Sequence, residues 1–332
     1  MKKRSILLPL LAGLALGLPA PVLAIGTPAE TAIVNTASIS YDISGTPVTE
    51  NSNTVTITVG EILDVTLTWQ DAANVLVKPG DVGQMLTFQL TNTGNYSETF
   101  DLVLDNGVLV GDNFDPIAPT TIYLDSNNND VYDAGVDTLY TAGVNDPTLA
   151  ADGAITLFVF NAIPGDPGGP LDTQTAISRL SATAATGSGA AGTAFPGAGG
   201  SGTVAAVVGL SGATAGDDGI YEVSRFDLVI TKSAVVTGPA GIGGTEPLPG
   251  ATITYTIDVV ITGTGSGTSL TITDTIDADV VYTPGSLALD TAPLSDTPLN
   301  DAGEVVGGVV TVRLGNVTAP ASHAVTFDVT IP

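Results

Sequence analysis

The 332-residue chain contains no cysteine. It therefore has no disulfide staples and no thiolate metal ligands. Histidine occurs once, at His323. A single imidazole leaves no histidine-rich zinc or copper site, and any Ser-His-Asp catalysis would depend on that one ring. Basic residues are scarce, eight against 34 acidic, giving a net charge of −26. That imbalance excludes nucleic acid as a partner and disfavours an anionic membrane surface, while it favours solubility and attraction of divalent cations. Aromatics make up 5% of the chain and Trp69 is the sole tryptophan, too few for the stacking platforms of sugar chemistry. Its cores must be built mostly from Val, Ile, Leu and Ala.

One long apolar run is present, and it comes first. "MKKRSILLPLLAGLALGLPAPVLA" joins a basic start (Lys2, Lys3, Arg4) to an apolar stretch and a small-residue cleavage site, Val22-Leu23-Ala24. This is the pattern of a secretory signal peptide over residues 1–24. Pro9 and Pro19 interrupt it, and it is too short to span a bilayer comfortably. The mature chain is expected to begin at Ile25, to be exported, and not to insert in a membrane after cleavage. It keeps five basic residues: Lys78, Arg179, Arg225, Lys232 and Arg313.

Beyond the leader, period-two alternation dominates and no stretch has a helical period. Short strands and abundant Gly and Pro turns predict an all-β chain of antiparallel sandwiches. Residues 25–62 read as a β-hairpin, "IVNTASISYDISGTPVTENSNTVTITV". Ile33, Ala37, Ile39 and Tyr41 share one face of its first strand, and Val55, Ile57 and Val59 share one face of the second. The opposite faces are rich in Thr and Ser, as in a half-buried antiparallel pair.

An internal repeat follows. "DVTLTWQDAANVLVKPGDVGQMLTFQLTNTG" starts at Asp64 and "DLVITKSAVVTGPAGIGGTEPLPGATITYTIDVVITGTG" at Asp227. Each opens with Asp and a short β run, passes a Pro-Gly turn, and enters a strand centred on an aromatic, Phe88 or Tyr255. Two copies of one sandwich unit account for this. The first is expected over 63–224 and the second over 225–332. The last strand of the second, "AVTFDVTIP", should point Val325, Phe327, Val329 and Ile331 inward. After it, no closing hairpin is found where one is due.

The order of these motifs resembles the bacterial and archaeal surface repeat catalogued as domain of unknown function eleven. That repeat has a Lys-bearing first strand, a Pro-Gly turn into a "tYtitvtNtG" strand, a "vtDtlP" strand, a "pGS" segment and a closing "NtAtvsy…sNtvtvtV" hairpin. The second unit departs from it in having Thr-Gly-Thr-Gly for Asn-Thr-Gly and Asp277 for Pro. The resemblance implies immunoglobulin-like β-sandwiches in an extracellular protein, with no enzymatic activity attached to the fold. It also implies that the missing closing hairpin stands at the other end of the chain.

Three further sites are legible. In "LDSNNNDVYDAGVDTLY", Asp125, Asn127 and Asn129 alternate, Val131 offers a backbone carbonyl, and Asp133 and Asp137 follow. Alternate short oxygen ligands are what a calcium loop needs. Asp130 stands where an EF-hand-like loop has glycine, and no Glu occupies the twelfth position. An Asx-rich turn is the plainer reading. His323 has no nucleophile motif beside it, so no enzyme is expected. Lys78 and Lys232 read as edge lysines that discourage sheet pairing. The alternative is a Lys–Asn isopeptide cross-link of the kind surface sandwiches form beside a buried carboxylate.

The expected function is that of an exported structural subunit. The hairpin of one copy would complete the second sandwich of the next, giving a homopolymer. Closure within one chain, or packing of the hairpin on the first sandwich, are the rival arrangements. A monomeric adhesin or carbohydrate-binding surface module is the alternative function, and a surface anchor or glycan is left open as a further partner.

Overall fold

The computed structural model describes residues 26–107 and 110–332; the expected signal peptide lies outside them. Among the described residues there is no α-helix, and hence none long and apolar enough to cross a membrane. Two hydrophobic cores organise the chain, each between stacked sheets, and the fold is all-β sandwich.

The first core lies between two five-stranded sheets. One runs in the order Thr138–Leu139, Ile117–Leu124, Ala154–Ala162, Gln84–Asn92, Val65–Trp69. The other runs Thr148–Leu149, Glu98–Asp105, Thr175–Ala184, Thr214–Val223, Val75–Val77. Alternation in Gln84–Asn92 sends Leu86, Phe88 and Leu90 inward, all fully buried. A three-stranded sheet, Ala194–Gly199, Val204–Val208 and Glu61–Leu63, closes one end. Its last pairing is parallel, and it ties the foot of the hairpin to the sandwich. Polar groups inside this core satisfy one another: the Asn161 amide donates to Ser178 and Tyr221, and Asn106 donates to Asn161. Burial pushes the Tyr221 phenol above its ordinary value.

The second core is smaller. One sheet runs Phe226–Thr237, Thr252–Gly263, Ala321–Thr330, then the short pair Ala288–Leu289 and Ala292–Pro293. The other runs Ser266–Thr275, Val309–Thr318, Gly303–Val306. Ala321–Thr330 is a central strand, with partners on both sides. Val325, Phe327 and Val329 therefore lie in the finished core and are fully buried. This corrects their assignment as docking residues, because a strand already paired on both sides has no edge to offer. Ile331, just beyond that strand, is tied by its backbone to Gly250 and Ala251.

The hairpin belongs to neither core. Ala32–Asn35 pairs with Val55–Thr58, Ser38–Ile43 pairs with Thr46–Asn51, and both pairs stand apart as two-stranded sheets. The tip is a two-residue turn, Ser44-Gly45, both with positive φ, as the type I′ hairpin turn requires. Between the halves, Thr36 and Ala37 face Ser52, Asn53 and Thr54, so the return arm carries one extra residue. That bulge keeps odd-numbered residues of the outgoing arm on one face. On the return arm it switches the matching parity, so that Val48 opposite Tyr41 joins the face of Val55 and Ile57.

Candidate assembly site

The hairpin foot is held hard. The Asn95 amide donates to the carbonyls of Thr27 and Gly60, and its oxygen accepts from the Ile62 N–H. The Ala29 N–H donates to the Asn95 carbonyl. Glu30 accepts from the Ser201 N–H at 2.8 Å, the Ser201 hydroxyl at 2.5 Å and the Thr203 hydroxyl at 2.6 Å. Those donors lower its carboxyl to about 2. Neighbouring Glu61 is buried and its carboxyl is shifted up by that burial, despite a hydrogen bond from the Gly200 N–H.

Above this foot the side chains meet solvent. Ile33, Ile39, Tyr41, Val55 and Ile57 are all exposed, Ile57 at 63%; Ala37 is exposed and Val59 half-buried. One face of the lower half is a shallow apolar concavity lined by Ile33, Asn35, Ala37, Asn53, Val55 and Ile57. Of the expected interface residues, Ile33, Ala37, Val55 and Ile57 line this concavity, with two carboxamides, Asn35 and Asn53, set among them, while Ile39, Tyr41 and Val59 lie outside it.

The second sandwich has an open edge. Phe226–Thr237 is an edge strand whose residues are half-buried or exposed along its whole length. Leu228, Ile230 and Lys232 face inward, opposite Ile261, Val259 and Ile257, yet Leu228 is 45% and Ile230 56% exposed. The facing sheet ends in another edge strand, Ser266–Thr275. Between the two edges lies a groove of about 230 Å³ lined by Leu228, Ile230, Val259, Leu270, Ile272 and Leu314. A sandwich open in this manner exposes core side chains and unpaired backbone along the same line.

Lys232 sits inside this gap. Its ammonium reaches across to Asp274 on the opposing edge strand at 2.5 Å. It also lies 4.3 Å from the Tyr255 ring centroid and 5.9 Å from that of Phe327, within cation–π range. The Asp274 side chain is 9% exposed and that of Lys232 43%. Lys232 is on an edge strand and partly solvated, as expected, but parity along the strand turns its side chain toward the opposing sheet. Sequence reasoning missed the groove itself. Its one sequence signal was "LVITKSAVV", which is apolar at both parities and reads as a strand covered on two sides.

The loop from Asp125 to Asp137 gathers all six expected calcium ligands in one segment, but its polar groups bond within it. Asp125 accepts from the Asn129 and Asp130 N–H groups, and Asp137 from those of Ser126 and Asp133. The Asn127 and Asn129 amides both donate to Asp133, at 2.8 and 2.7 Å, lowering its carboxyl. Asn129 Oδ1 accepts from the Val131 N–H. Asp130 adopts φ 59°, the left-handed turn that glycine supplies in an EF-hand-like loop. The donor set is all oxygen, as calcium requires. Among the described residues, no three acidic or histidine side chains are disposed to hold a metal ion. His323 is hydrogen-bonded to Asp290 at 2.8 Å, which lowers the Asp290 carboxyl. No serine hydroxyl is bonded to that ring among the described residues.

No family model and no curated protein matches the chain. Solved structures share it at a distance. "BspA_C_WT" is 11% identical, with TM-score 0.37, over 80% of this chain and 91% of that one. A putative membrane anchored protein from Corynebacterium diphtheriae is 9% identical, with TM-score 0.21, over 88% and 57% of the two chains. The collagen binding domain of the Erysipelothrix rhusiopathiae surface protein RspB is 11% identical, with TM-score 0.19, over 80% and 82%. With TM-scores this low, the function proposed below stands on the geometry of this chain alone.

Proposed function

We propose that this chain is an exported structural subunit of an extracellular filament or surface array. The hairpin of one copy lies in the open edge of the next copy's second sandwich. One observation carries the reading: the same molecule displays an apolar hairpin that packs on neither of its own cores and a sandwich with an open, apolar edge. The two match in size. The open edge strand is 12 residues long, and the hairpin arms, Ala32 to Ile43 and Thr46 to Thr58, are about as long. At roughly 3.3 Å per residue each extends about 40 Å.

The chemistry matches as well. A two-stranded hairpin alone is at best marginal in water, so this one gains most by finding a sheet. Insertion would pair main chain with main chain along Phe226–Thr237, as in donor-strand complementation. It would bury Ile33, Val55 and Ile57 against Leu228, Ile230 and Leu270. At about 1.5–3 kcal/mol for each large side chain covered, the gross gain is on the order of 10 kcal/mol before association costs. The joint is head-to-tail, so its repetition gives an open fibre unless the rotation closes a ring. The leader-like residues 1–24 support export. Calcium binding by the Asp125 to Asp137 loop is a separate part of the proposal, supported by its all-oxygen donor set and by the burial of Asp125 and Asp137.

Electron microscopy of the purified mature chain tests the assembly. Polymers are expected, and deletion of Gly26 to Gly60 should abolish them while both sandwiches keep their β-sheet circular dichroism. A deletion variant that still polymerises, or a full chain that stays monomeric at high concentration with calcium present, would overturn the reading in favour of a monomeric surface module.

A further inference from the structure

The repeat places Lys232 of the second unit where the first has Trp69, each five residues after the opening Asp, at Asp227 and Asp64. In the first sandwich that position is filled by an aromatic whose indole N–H is held by Asp71. In the second it holds an amine, aimed between the sheets and paired with a carboxylate that is itself nine-tenths buried. An ion pair at the mouth of an unfilled core is costly once the core is covered, because both charges lose water. The apolar face of the hairpin carries its own anomaly: Asn35 and Asn53 lie among Ile33, Val55 and Ile57. Asn51, the other carboxamide of the hairpin, is paired opposite Ser38 on the hydroxyl-rich face.

We infer that the joint between copies is covalent: Lys232 of the acceptor forms an isopeptide bond with Asn53 of the inserted hairpin, with Asp274 as proton carrier. With the return arm antiparallel to the open edge and its apolar face inward, Asn53, Val55 and Ile57 meet Lys232, Ile230 and Leu228 in turn. Asn35, paired with Val55, then lies one strand further out in the row of Ile230, away from the amine. The Asn53 carboxamide thus meets the amine while apolar side chains meet apolar side chains.

The step balances without oxidant or cofactor. Covering the pair favours its neutral form, so the ammonium passes a proton to Asp274. The freed Nζ attacks the Asn side-chain carbonyl carbon, a C–N bond forms, and the original C–N bond to the amide nitrogen breaks. Asp274 returns its proton to the departing nitrogen, takes the second proton that Nζ must lose on becoming an amide, and passes that one on as well, so the nitrogen leaves as ammonium and Asp274 ends as a carboxylate. Tyr255 and Phe327 wall one side of the amine, 4.3 and 5.9 Å from it, and the inserted hairpin would cover the other.

This inference rests on the donor-hairpin reading, and the two fail differently. The test takes assembled full-length chain, boils it in detergent, separates it by electrophoresis, and sequences the bands by mass spectrometry. A ladder is expected, with a peptide containing Lys232 joined to one containing Asn53 and lacking one ammonia. Lys232→Arg and Asp274→Asn should remove the ladder while filaments stay visible by electron microscopy. Asn53→Ala should remove it and Asn35→Ala should not. Wild-type filaments that boil to intact monomers would overturn the covalent joint and leave the assembly standing. So would a Lys232–Asp274 bond with loss of water inside one chain, or a ladder that survives Lys232→Arg. Absence of any polymer would sink the underlying reading, and this inference with it.

Discussion

The two sandwiches open with equivalent strands that meet opposite fates. In the first, Val65 and Leu67 point inward and are 1% and 6% exposed. In the second, Leu228 and Ile230 occupy the same repeat positions and are 45% and 56% exposed. Both strands are edges, each paired on one side only. The difference is what covers them. Val65–Trp69 is roofed by the opposing sheet, and its free N–H groups are capped: Ser211 accepts from Val65, and Asp217 accepts from Trp69 at 2.7 Å. Phe226–Thr237 faces an opposing sheet that ends at Ser266–Thr275, leaving the groove open. One repeat thus yields a closed unit and an open one, and the open one lacks side-chain caps, not hydrophobicity.

Closing that difference by charge should have the largest effect. Leu228→Asp places a carboxylate in the groove, and Ile57→Asp places one on the donor face. Either should reduce polymer to monomer, read by light scattering, with circular dichroism unchanged. Polymer yield within a factor of two of wild type would break the comparison. Next comes a pair of truncations. Leu67→Ala should cost about 2–5 kcal/mol in chemical denaturation of the first sandwich, the range for a buried leucine. Ile230→Ala in unassembled protein should cost about 0.5 kcal/mol or less, as exposed positions do. Equal costs would mean that the groove is already filled.

Calcium sharpens the comparison because the loop proposed to bind it belongs to the closed sandwich alone. At about 100 times its dissociation constant, a ligand specific for the folded state adds roughly 2.7 kcal/mol. Calcium should raise the melting temperature of the first transition, chelator should reverse it, and Asp125→Ala with Asp133→Ala should abolish the response. A melting curve indifferent to chelator would end the proposal. The smallest effect is at the hairpin foot. The Glu30 carboxyl is lowered from 4.5 to about 2. Its contribution is therefore full above pH 4.5 and is lost as pH falls through about 2. Protection factors for hydrogen exchange at Glu30 and Val59, whose amides bond to Val59 and Thr31 carbonyls, should fall over that window in wild type. In Glu30→Gln they should be flat there.

Much of this was legible from alternation. Period two in Ile33 to Val59 gave the hairpin and its apolar face, and the repeat from Asp64 and Asp227 gave two sandwich units. Strand order was not legible. Val325, Phe327 and Val329 alternate as an edge or a central strand equally would, since sheet neighbours are chosen by distant segments. The reach of Lys232 to Asp274 was hidden for the same reason: which face of an edge strand looks inward depends on the sheet opposite. The Asx-rich loop from Asp125 to Asp137 was legible as composition and spacing. The hydrogen bonds its carboxamides make to Asp133 belong to side-chain rotamers, which spacing does not set.

The junction between the sandwiches has a mechanical consequence. Arg225 is clamped by Asp166, Asp227 and the Pro170 carbonyl, while its own carbonyl accepts from the Thr264 and Gly265 N–H groups. The Arg225 N–H and the Thr264 hydroxyl both reach Asp172. In a chain of such subunits, every link passes through one such clamp and one hairpin foot. These two joints set the twist and rise per subunit, and bending stiffness accumulates there. A fibre built this way would answer tension at its weakest clamp, and Arg225, with its acidic partners largely in solvent, would make that clamp yield as salt rises.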